Sequence, residues 1–312
     1  MNKKRSFLLL MISALIFLWA CSEKSPSEPL TDIGEYESEE LIIVEGDTYS
    51  RGDEIGDLWE GTRPVHQVTL SDFMISPNLI TQAEWERYMP SENYTHGEGG
   101  RYPAYNVSWY SILKYCNLRS IYEGFTPVYS IAGSTDPADW GYVPETDNDS
   151  WTDVFSDWSA EGYRLPTDAE WEYAARGGKF HSDGFLYSGS NDPNDVAWYD
   201  GNSGSSGSSD YGAKPVGSKL SNQLGIYDMS GNLWEYCWDR WHTYQDEHLT
   251  DPRGPVSPGT SRVIRGGCWA HGVFNTRVAY RGMGFTLYTK YYFIGFRVVR
   301  SIIELSEEGD DL

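Results

Sequence analysis

The sequence predicts an α+β domain with many loops, short strands and few helices. Glycine, proline, serine and asparagine interrupt the 312 residues often, so long helical periods are scarce. Helix start signals occur at three places, and short apolar runs, several of alternating character, occur at others. From about Thr126 to Glu161, and from Gly178 to Gly225, neither pattern holds. Loops of that length in a folded domain are usually functional or stabilised by a ligand.

Hydroxyl side chains mark the helix starts. Thr81 and Thr167 are each followed, three residues on, by a glutamate, and these pairs predict capping boxes. Ser108 begins another helix, whose apolar residues recur at helical spacing until about Gly124. The helix after Thr167 is predicted to stop at Gly177–Gly178.

Short runs rich in β-branched and apolar residues predict the strands. These runs are Leu41–Val44, Val65–Leu70, Arg262–Gly266, Arg277–Arg281 and Tyr292–Val299. Together with the helices they predict one domain over residues 41–303. That length is sufficient for one sizeable core or two small ones.

The first residues have the composition of a secretory signal peptide. Basic residues precede an apolar run, Phe7–Trp19, which is short for a transmembrane span. The run ends in Leu-Trp-Ala-Cys, which resembles a bacterial lipobox and implies an acyl chain on Cys21. We predict a signal peptide over 1–20, a lipidated flexible tether over 21–40 and a loose acidic tail over 304–312. The protein is therefore expected to be exported and anchored to a membrane, at the outer membrane or cell surface.

Charge and aromatic content narrow the partners. The net charge of -22 argues against nucleic acid, because a phosphate backbone requires a basic face. Its simplest role is solubility. Aromatic residues make up 15% of the chain, with 13 tryptophans, which predicts an aromatic core, an aromatic binding surface, or both.

Four segments form a pattern that spans about Ile42 to Arg300. They are Gly162–Gly177 (GYRLPTDAEWEYAARG), Leu224–Tyr236 (LGIYDMSGNLWEY), Arg262–Gly267 (RVIRGG) and Ile294–Val299 (IGFRVV). In this order they are similar to the formylglycine-generating-enzyme, or sulfatase-modifying factor, family. The resemblance implies that family's version of the C-type lectin fold.

The turn before Glu235 places carboxylates beside glycine. Asp228 and Glu235 offer carboxylate oxygens, and Gly231 and Leu233 offer backbone carbonyls, a set that suits a hard cation. The alternative is a carboxylate that caps local backbone amides. The family resemblance implies structural calcium at these positions, and a second site near Asp195–Tyr211 whose ligand pattern is not clear here. We expect one ion at most, and no catalytic cofactor.

A single cysteine stands where the oxidising members of the family have their active site. The resemblance implies two cysteines after Gly266-Gly267 that bind copper, and soft thiolates select Cu(I). Here only Cys268 is present, with His271 three residues on. We therefore predict no catalytic residue; the alternative is an oxidase or cofactor-modifying enzyme that uses Cys268 and His271. With Cys116 and Cys237 the cysteines number three beyond the lipobox, so at least one thiol is free or pairs with another molecule.

The segment 268–293 resembles a second group more closely. Its flanks, Arg262–Gly267 and Ile294–Val298, are similar to the variable regions of proteins diversified by retroelements, among them exported treponemal variable proteins. That resemblance implies mutable positions that derive from Asn codons randomised at their first two bases. Permitted products stand at Ala270, His271, Gly272, Phe274, Asn275, Gly282, Gly284, Phe285, Leu287, Tyr288, Tyr291 and Tyr292. Met283 and Lys290 are not such products.

These observations predict a monomeric, lipid-anchored, non-enzymatic receptor whose recognition face lies in Ala270–Tyr292. Its ligand is expected to be a protein or glycan on a surface. Tyrosine offers area, rigidity and one polar group, which favours a binding surface, whereas ordinary core packing is the alternative for the aromatic residues. The remaining hypothesis is a structural lipoprotein of a surface assembly, in which Ala270–Tyr292 does not vary between sister copies.

The lipobox predicts a specific change on substitution. Cys21→Ser removes the acylated thiol, so the protein should incorporate no radiolabelled lipid and should leave the membrane fraction. Incorporation that persists in the Cys21→Ser protein contradicts the assignment.

Overall fold

Loops link short elements throughout the fold. The computed structural model describes residues 40–256 and 261–303. The predicted signal peptide, Cys21, the tether up to residue 39 and the acidic tail lie outside these residues. The described residues belong to one compact unit. No helix within them is long and apolar enough to cross a bilayer.

The predicted hydroxyl caps begin the helices. In the described ranges the helices are α1 (Gln82–Glu86), α2 (Trp109–Glu123), α3 (Asp149–Thr152), α4 (Asp168–Ala175) and α5 (Pro193–Val196), with 3-10 turns at Glu60–Thr62, Gly178–Asp183 and Val273–Thr276. Thr81, Ser108 and Thr167 each accept a hydrogen bond from the third backbone N–H of the helix, and the side chain there accepts one from the cap's own N–H. Gly124 ends α2 at φ 84°, a region that disfavours side chains. The three predicted helix starts are confirmed.

The strands are short and divide into small sheets. They are β1 (Ile42–Val44), β2 (Thr48–Arg51), β3 (His66–Thr69), β4 (Phe73–Ile75), β5 (Tyr129–Ser130), β6 (Phe155–Ser156), β7 (Ala197–Trp198), β8 (Ser230–Gly231), β9 (Trp234–Arg240), β10 (Leu249–Thr250), β11 (Arg262–Arg265), β12 (Arg281–Met283), β13 (Ile294–Gly295) and β14 (Val299–Ser301). One sheet has the order β12-β11-β9-β13, with β13 parallel to β9 and the other pairs antiparallel. The others are β1-β4-β14, β10-β3-β2, β5-β6 and β7-β8. Helix α4 packs on β2, β9 and β11.

Two strand predictions are wrong. Arg277–Arg281 is not a strand until its last residue, because the side chain of Arg265 donates to the carbonyls of Val278 and Tyr280, which a neighbouring strand would otherwise use. Tyr292–Val299 is divided between β13 and β14, which belong to different sheets. Strand β9, within the central sheet, was not predicted, because six of its seven residues are buried and no alternation remains to mark it.

Aromatic rings fill much of the interior. Trp85 is fully buried and stacks on Tyr115 with ring centroids 5.5 Å apart. Trp109, Trp171 and Trp269 are also fully buried. The high tryptophan content therefore serves the core at these positions. The cysteines at positions 116, 237 and 268 are buried, free thiols, in line with the predicted unpaired cysteine.

Two carboxylates on α4 anchor a buried charge network. Asp168 pairs with Arg265 (Nε to Oδ1, 2.5 Å), with Arg281 (Nε to Oδ2, 2.8 Å) and with Arg51. Arg265 also reaches Glu172, Nη2 to Oε2 at 2.7 Å, and Glu172 binds Arg176. Burial alone would raise the pKa of Asp168, but Arg265, Arg281 and Arg51 hold it well below its usual range. The same balance lowers the pKa of Glu172 to about 2, with Arg265 as its strongest partner.

A second buried pair connects β9 to the C-terminal strands. Both oxygens of Glu235 accept hydrogen bonds from Arg297, at 2.7 Å from Nε and 2.9 Å from Nη2, and Trp171 Nε1 donates to Oε2 at 2.9 Å. Arg297 also donates to the carbonyls of Ser76 and Tyr227. Glu235 and Arg297 are fully buried, so each supplies the other's only countercharge among the described ion pairs.

Removing one partner of this pair should be costly. Arg297→Met leaves the Glu235 carboxylate buried without a countercharge, and urea unfolding should show a loss of about 3–5 kcal/mol. The double variant Glu235→Leu with Arg297→Met should lose less than the sum of the two single variants, because no charge remains buried. Additive losses in this double-mutant cycle contradict the ion-pair account.

Candidate ligand-binding site

The segment 268–293 leaves the central sheet through two glycines and is fixed by backbone hydrogen bonds. Gly266 and Gly267 have φ values of 89° and 72°, and a Cβ on Gly267 would lie 2.8 Å from the backbone of Asn275. The C-terminal part rests on the start of α2, where the N–H of Asn106 donates to the carbonyl of Tyr291 at 3.0 Å. This bond holds the segment through backbone atoms and not through its exposed side chains.

Five rings of this segment meet on one surface. Phe293 lies at the centre, with ring centroids 5.3 Å from His271, 5.3 Å from Tyr291, 5.1 Å from Tyr292 and 6.2 Å from Phe285. Phe285 and Tyr291 are 4.3 Å apart. We call His271, Phe285, Tyr291, Tyr292 and Phe293 the aromatic face.

The aromatic face is open to solvent at its outer rings. Phe285 is 44% exposed and Tyr292 is 42% exposed, while His271, Tyr291 and Phe293 are half-buried. Four of the five were predicted recognition residues, and Phe293 was not. Large exposed apolar patches on a protein surface usually mark interaction sites. That they bind a ligand stays a prediction.

Three predicted recognition positions lie elsewhere. Leu287 is fully buried in the core. A Cβ on Gly284 would lie 2.6 Å from the carbonyl oxygen of Arg262, and one on Gly282 would lie 2.7 Å from Ile264 Cγ1, so neither position has room for a side chain without movement. These three predictions are therefore corrected.

The five remaining predicted positions are not part of the aromatic face. Gly272 has open space beside it, and Ala270, Asn275 and Tyr288 are half-buried. Phe274 is 56% exposed, but its ring packs under the guanidinium of Arg277 at 4.7 Å rather than on Phe293. The structure therefore brings together part of the predicted set.

His271 presents one defined donor to the surface. Trp234 Nε1 donates to His271 Nδ1 at 2.8 Å, so Nδ1 is the acceptor and a neutral ring carries its proton on Nε2. Burial lowers the pKa of His271, opposed by Asp200, so the neutral ring is favoured. Cys268 is buried, which raises the pKa of its thiol to about 12. A thiol of that pKa is a poor nucleophile and metal ligand at neutral pH.

Two residues beyond the segment support the aromatic face, and sequence patterns did not reveal them. His96 stacks on Tyr292 with centroids 4.7 Å apart and on Trp269 at 5.2 Å. Tyr211 meets Trp269 edge-on at 4.8 Å. Both come from loops distant in sequence, where no motif or periodicity marks a contact.

Two basic side chains of segment 268–293 are paired with carboxylates, and the carboxylate of Asp200 acts on His271. Lys290 Nζ lies 2.8 Å from Glu92 Oε2, and Arg277 Nη1 lies 2.5 Å from Asp57 Oδ1. The rings themselves carry no formal charge while His271 is neutral. The surface therefore suits an uncharged apolar or aromatic ligand better than a polyanion.

One of the predicted calcium ligands, Glu235, already has another partner. Both oxygens of Glu235 are held by Arg297, so this residue is an ion-pair partner and neither a metal ligand nor a local amide cap. Burial raises the pKa of Asp228 to about 6, and its Oδ2 already accepts from the N–H of Gly217. In residues 40–256 and 261–303, His, Cys, Asp and Glu nowhere form a group of three suited to a metal. The prediction for Glu235 is therefore corrected, whereas calcium binding by Asp228 and the carbonyls of Gly231 and Leu233 stays a prediction.

Comparison with known proteins identifies the family and the fold. The family model described as the sulfatase-modifying factor enzyme 1-like domain matches residues 29–302. The protein named chaperone protein LppX from Paenibacillus barcinonensis is 37% identical over 291 residues, 89% of this chain and 93% of its own length. The structure of Treponema denticola variable protein 1 superposes with a TM-score of 0.72 at 30% identity, over 83% of this chain and 94% of that one. The formylglycine-generating enzyme of Thermomonospora curvata is 30% identical over 73% of this chain and 81% of its own length. The predicted fold is confirmed.

Alanine substitutions should separate the aromatic face from the core. Phe285→Ala and Tyr292→Ala remove partly exposed rings, so chemical unfolding should show losses of at most about 1 kcal/mol. Leu287→Ala, two residues from Phe285, should cost about 2–5 kcal/mol through the cavity it leaves. Equal losses at positions 285 and 287 contradict the division into face and core.

Proposed function

We propose that this chain, which belongs to the sulfatase-modifying factor enzyme 1-like family, is a non-enzymatic receptor for a protein ligand. Its aromatic face lies near Cys268, the single cysteine after Gly266-Gly267. The observation that carries the proposal is the aromatic face, whose outer rings are exposed on a backbone held by hydrogen bonds. Rigid aromatic rings give large contact area at small entropic cost. A protein surface with apolar side chains is the ligand that such a face fits.

The state of Cys268 supports a function without oxidase chemistry. The family resemblance implies a pair of thiolates in the oxidising members, whereas Cys268 is buried, with a pKa of about 12 for its thiol. His271, its proposed partner in the enzyme alternative, instead accepts a hydrogen bond from Trp234. Neither group is therefore prepared to bind copper at neutral pH.

Diversification of the segment by a retroelement is part of the proposal. Similarity to Treponema denticola variable protein 1 over most of both chains supports it. The geometry limits which positions tolerate change: Gly272, Phe285, Tyr291 and Tyr292 border solvent, and their side chains can vary at small cost. His271 also borders solvent, but its replacement must offer another acceptor to Trp234 Nε1. Gly282, Gly284 and Leu287 belong to the framework in this proposal, so sister copies should keep them.

A lipid anchor outside the cytoplasm is part of the proposal. The lipobox-like end at Cys21 and the similarity to LppX both support an exported lipoprotein. We propose attachment at the outer membrane or cell surface, with the aromatic face available to a ligand there.

A second candidate function follows from the name of the LppX relative. That protein is called a chaperone, and it is 37% identical over nearly its whole length. An uncharged aromatic face also suits apolar segments of an incompletely folded exported protein. In that case the chain would bind many polypeptides weakly and its segment 268–293 would not vary.

Site-directed photocrosslinking distinguishes these functions. Benzoylphenylalanine placed at Phe285 of the full, lipid-anchored chain should crosslink one or a few proteins on producing cells, identified by mass spectrometry. Phe155 is the matched control, because it is 66% exposed and lies outside segment 268–293. Crosslinks to many polypeptides favour the chaperone, and crosslinks to carbohydrate favour a glycan receptor. Crosslinking yields at position 285 no higher than at position 155 contradict recognition by the aromatic face. In a separate assay, copper-dependent oxidation of a cysteine-containing peptide by the protein would contradict the proposed absence of enzymatic activity.

A further inference from the structure

Three backbone carbonyl oxygens converge on one ammonium group. Lys214 Nζ donates to the carbonyl of Ser203 at 2.9 Å and to that of Gly212 at 3.1 Å, and it also donates to the carbonyl of Asp210. All three oxygens belong to the loop Ser203–Gly212, which precedes the lysine. This loop lies in the long glycine- and serine-rich stretch that carries no periodic pattern.

Glycines shape the loop so that its carbonyls point inward. Gly204 has φ 94° and Gly212 has φ 147°, both in the left-handed region. A Cβ on Gly204 would lie 2.7 Å from the backbone of Asp210, so the two sides of the loop are in close contact there. The backbone of Lys214 is fixed on the other side by the amide of Asn232, which accepts from its N–H and donates to its carbonyl, each at 3.1 Å.

The ammonium is held by neutral oxygens rather than by a carboxylate. Among the described residues, no Asp or Glu oxygen lies within ion-pair distance of Lys214 Nζ, and the ring of Trp198 lies 5.7 Å away. Burial lowers the pKa of Lys214, which Asp210 opposes. A cage of backbone carbonyls is the environment that hard cations take in proteins.

We propose that Lys214 is a built-in cation, which organises the loop Ser203–Gly212 in place of a metal ion. This inference replaces the second calcium site expected near Asp195–Tyr211, because the oxygens available in this loop already surround the ammonium. It concerns the stability of the loop and does not depend on the proposed receptor function. Because the lysine is covalently part of the chain, its ammonium group cannot dissociate from the protein. The loop therefore keeps its shape at any calcium concentration.

The loop that Lys214 organises borders the aromatic face. Ser203 Oγ donates to the carbonyl of Trp269 at 2.6 Å, and the ring of Tyr211 rests against Trp269. The N–H of Ala213 donates to the carbonyl of His96 at 2.9 Å. The charge of Lys214 therefore fixes both residues, Tyr211 and His96, that support the aromatic face from outside segment 268–293.

Hydrogen exchange on the full chain tests the proposal. Lys214→Met keeps the length of the side chain and removes its charge, so the amides of residues 203–212 should exchange at least about tenfold faster. Lys219→Met is the matched control, because Lys219 also lies over the ring of Trp198, at 4.3 Å, but does not contact this loop's carbonyls. In the wild-type protein, neither calcium nor a chelator should change exchange in the loop. Unchanged exchange in Lys214→Met, or protection of the wild-type loop by calcium, overturns the proposal.

Chemical rescue separates the charge from simple packing. Lys214→Ala leaves room for a small cation among the three carbonyls, so propylammonium should restore slow exchange in residues 203–212 and propanol should not. Lys214→Arg retains a charge and should remain closer to wild type than Lys214→Met does, which gives a reading even if the alanine variant folds poorly. Equal rescue by propanol shows that packing alone holds the loop and contradicts the built-in cation.

Discussion

The carboxylate of Asp168 lies where the main elements of the fold meet. Its partners Arg51, Arg265 and Arg281 come from β2, β11 and β12, and each is fully buried. A buried charge without a partner costs several kcal/mol. Separating any of these strands from α4 would leave such a charge, so the ion pairs hold the strands against the helix. Strands β2, β11 and β12 are thus tied to one residue at the start of α4, where the helix dipole also favours a negative charge.

The buried carboxylates differ in how many guanidinium groups surround them, and their pKa values differ accordingly. Asp168 and Glu172 each have several guanidinium partners, and their pKa values are lowered. Asp239 is also fully buried, but burial and the neighbouring charge of Asp168 raise its pKa to about 7. Its folded-state pKa is raised, so its contribution to stability is complete below its unfolded value and is lost as the pH rises towards 7. Asp239 therefore accepts the N–H of Asp168 as a group that is partly protonated near neutral pH.

Local signals in the sequence were reliable, whereas long-range partners could not be read from it. The capping boxes at Thr81 and Thr167 involve residues three apart, so their chemistry is complete within the helix start. Glu235 looked like a metal ligand because its partner, Arg297, is 62 residues away and no periodicity relates the two. Four of the five residues of the aromatic face were predicted because they lie in one segment, whereas the residues that support the face from other loops were not. His96 and Tyr211 reach it through tertiary contacts alone, and Leu287 does not belong to it because its side chain is buried in the core.

The same separation explains how one surface could vary while the domain stays folded. Arg265 and Arg281 hold β11 and β12 from inside through Asp168, and backbone hydrogen bonds hold the segment between Phe285 and Phe293. None of these interactions uses the side chains of the aromatic face. Replacing Phe285 or Tyr292 therefore changes what the surface presents without removing a countercharge of the framework, whereas replacing His271 would leave Trp234 Nε1 without its acceptor. A framework of buried arginines is suited to this role, since its stability comes from residues that the surface never exposes.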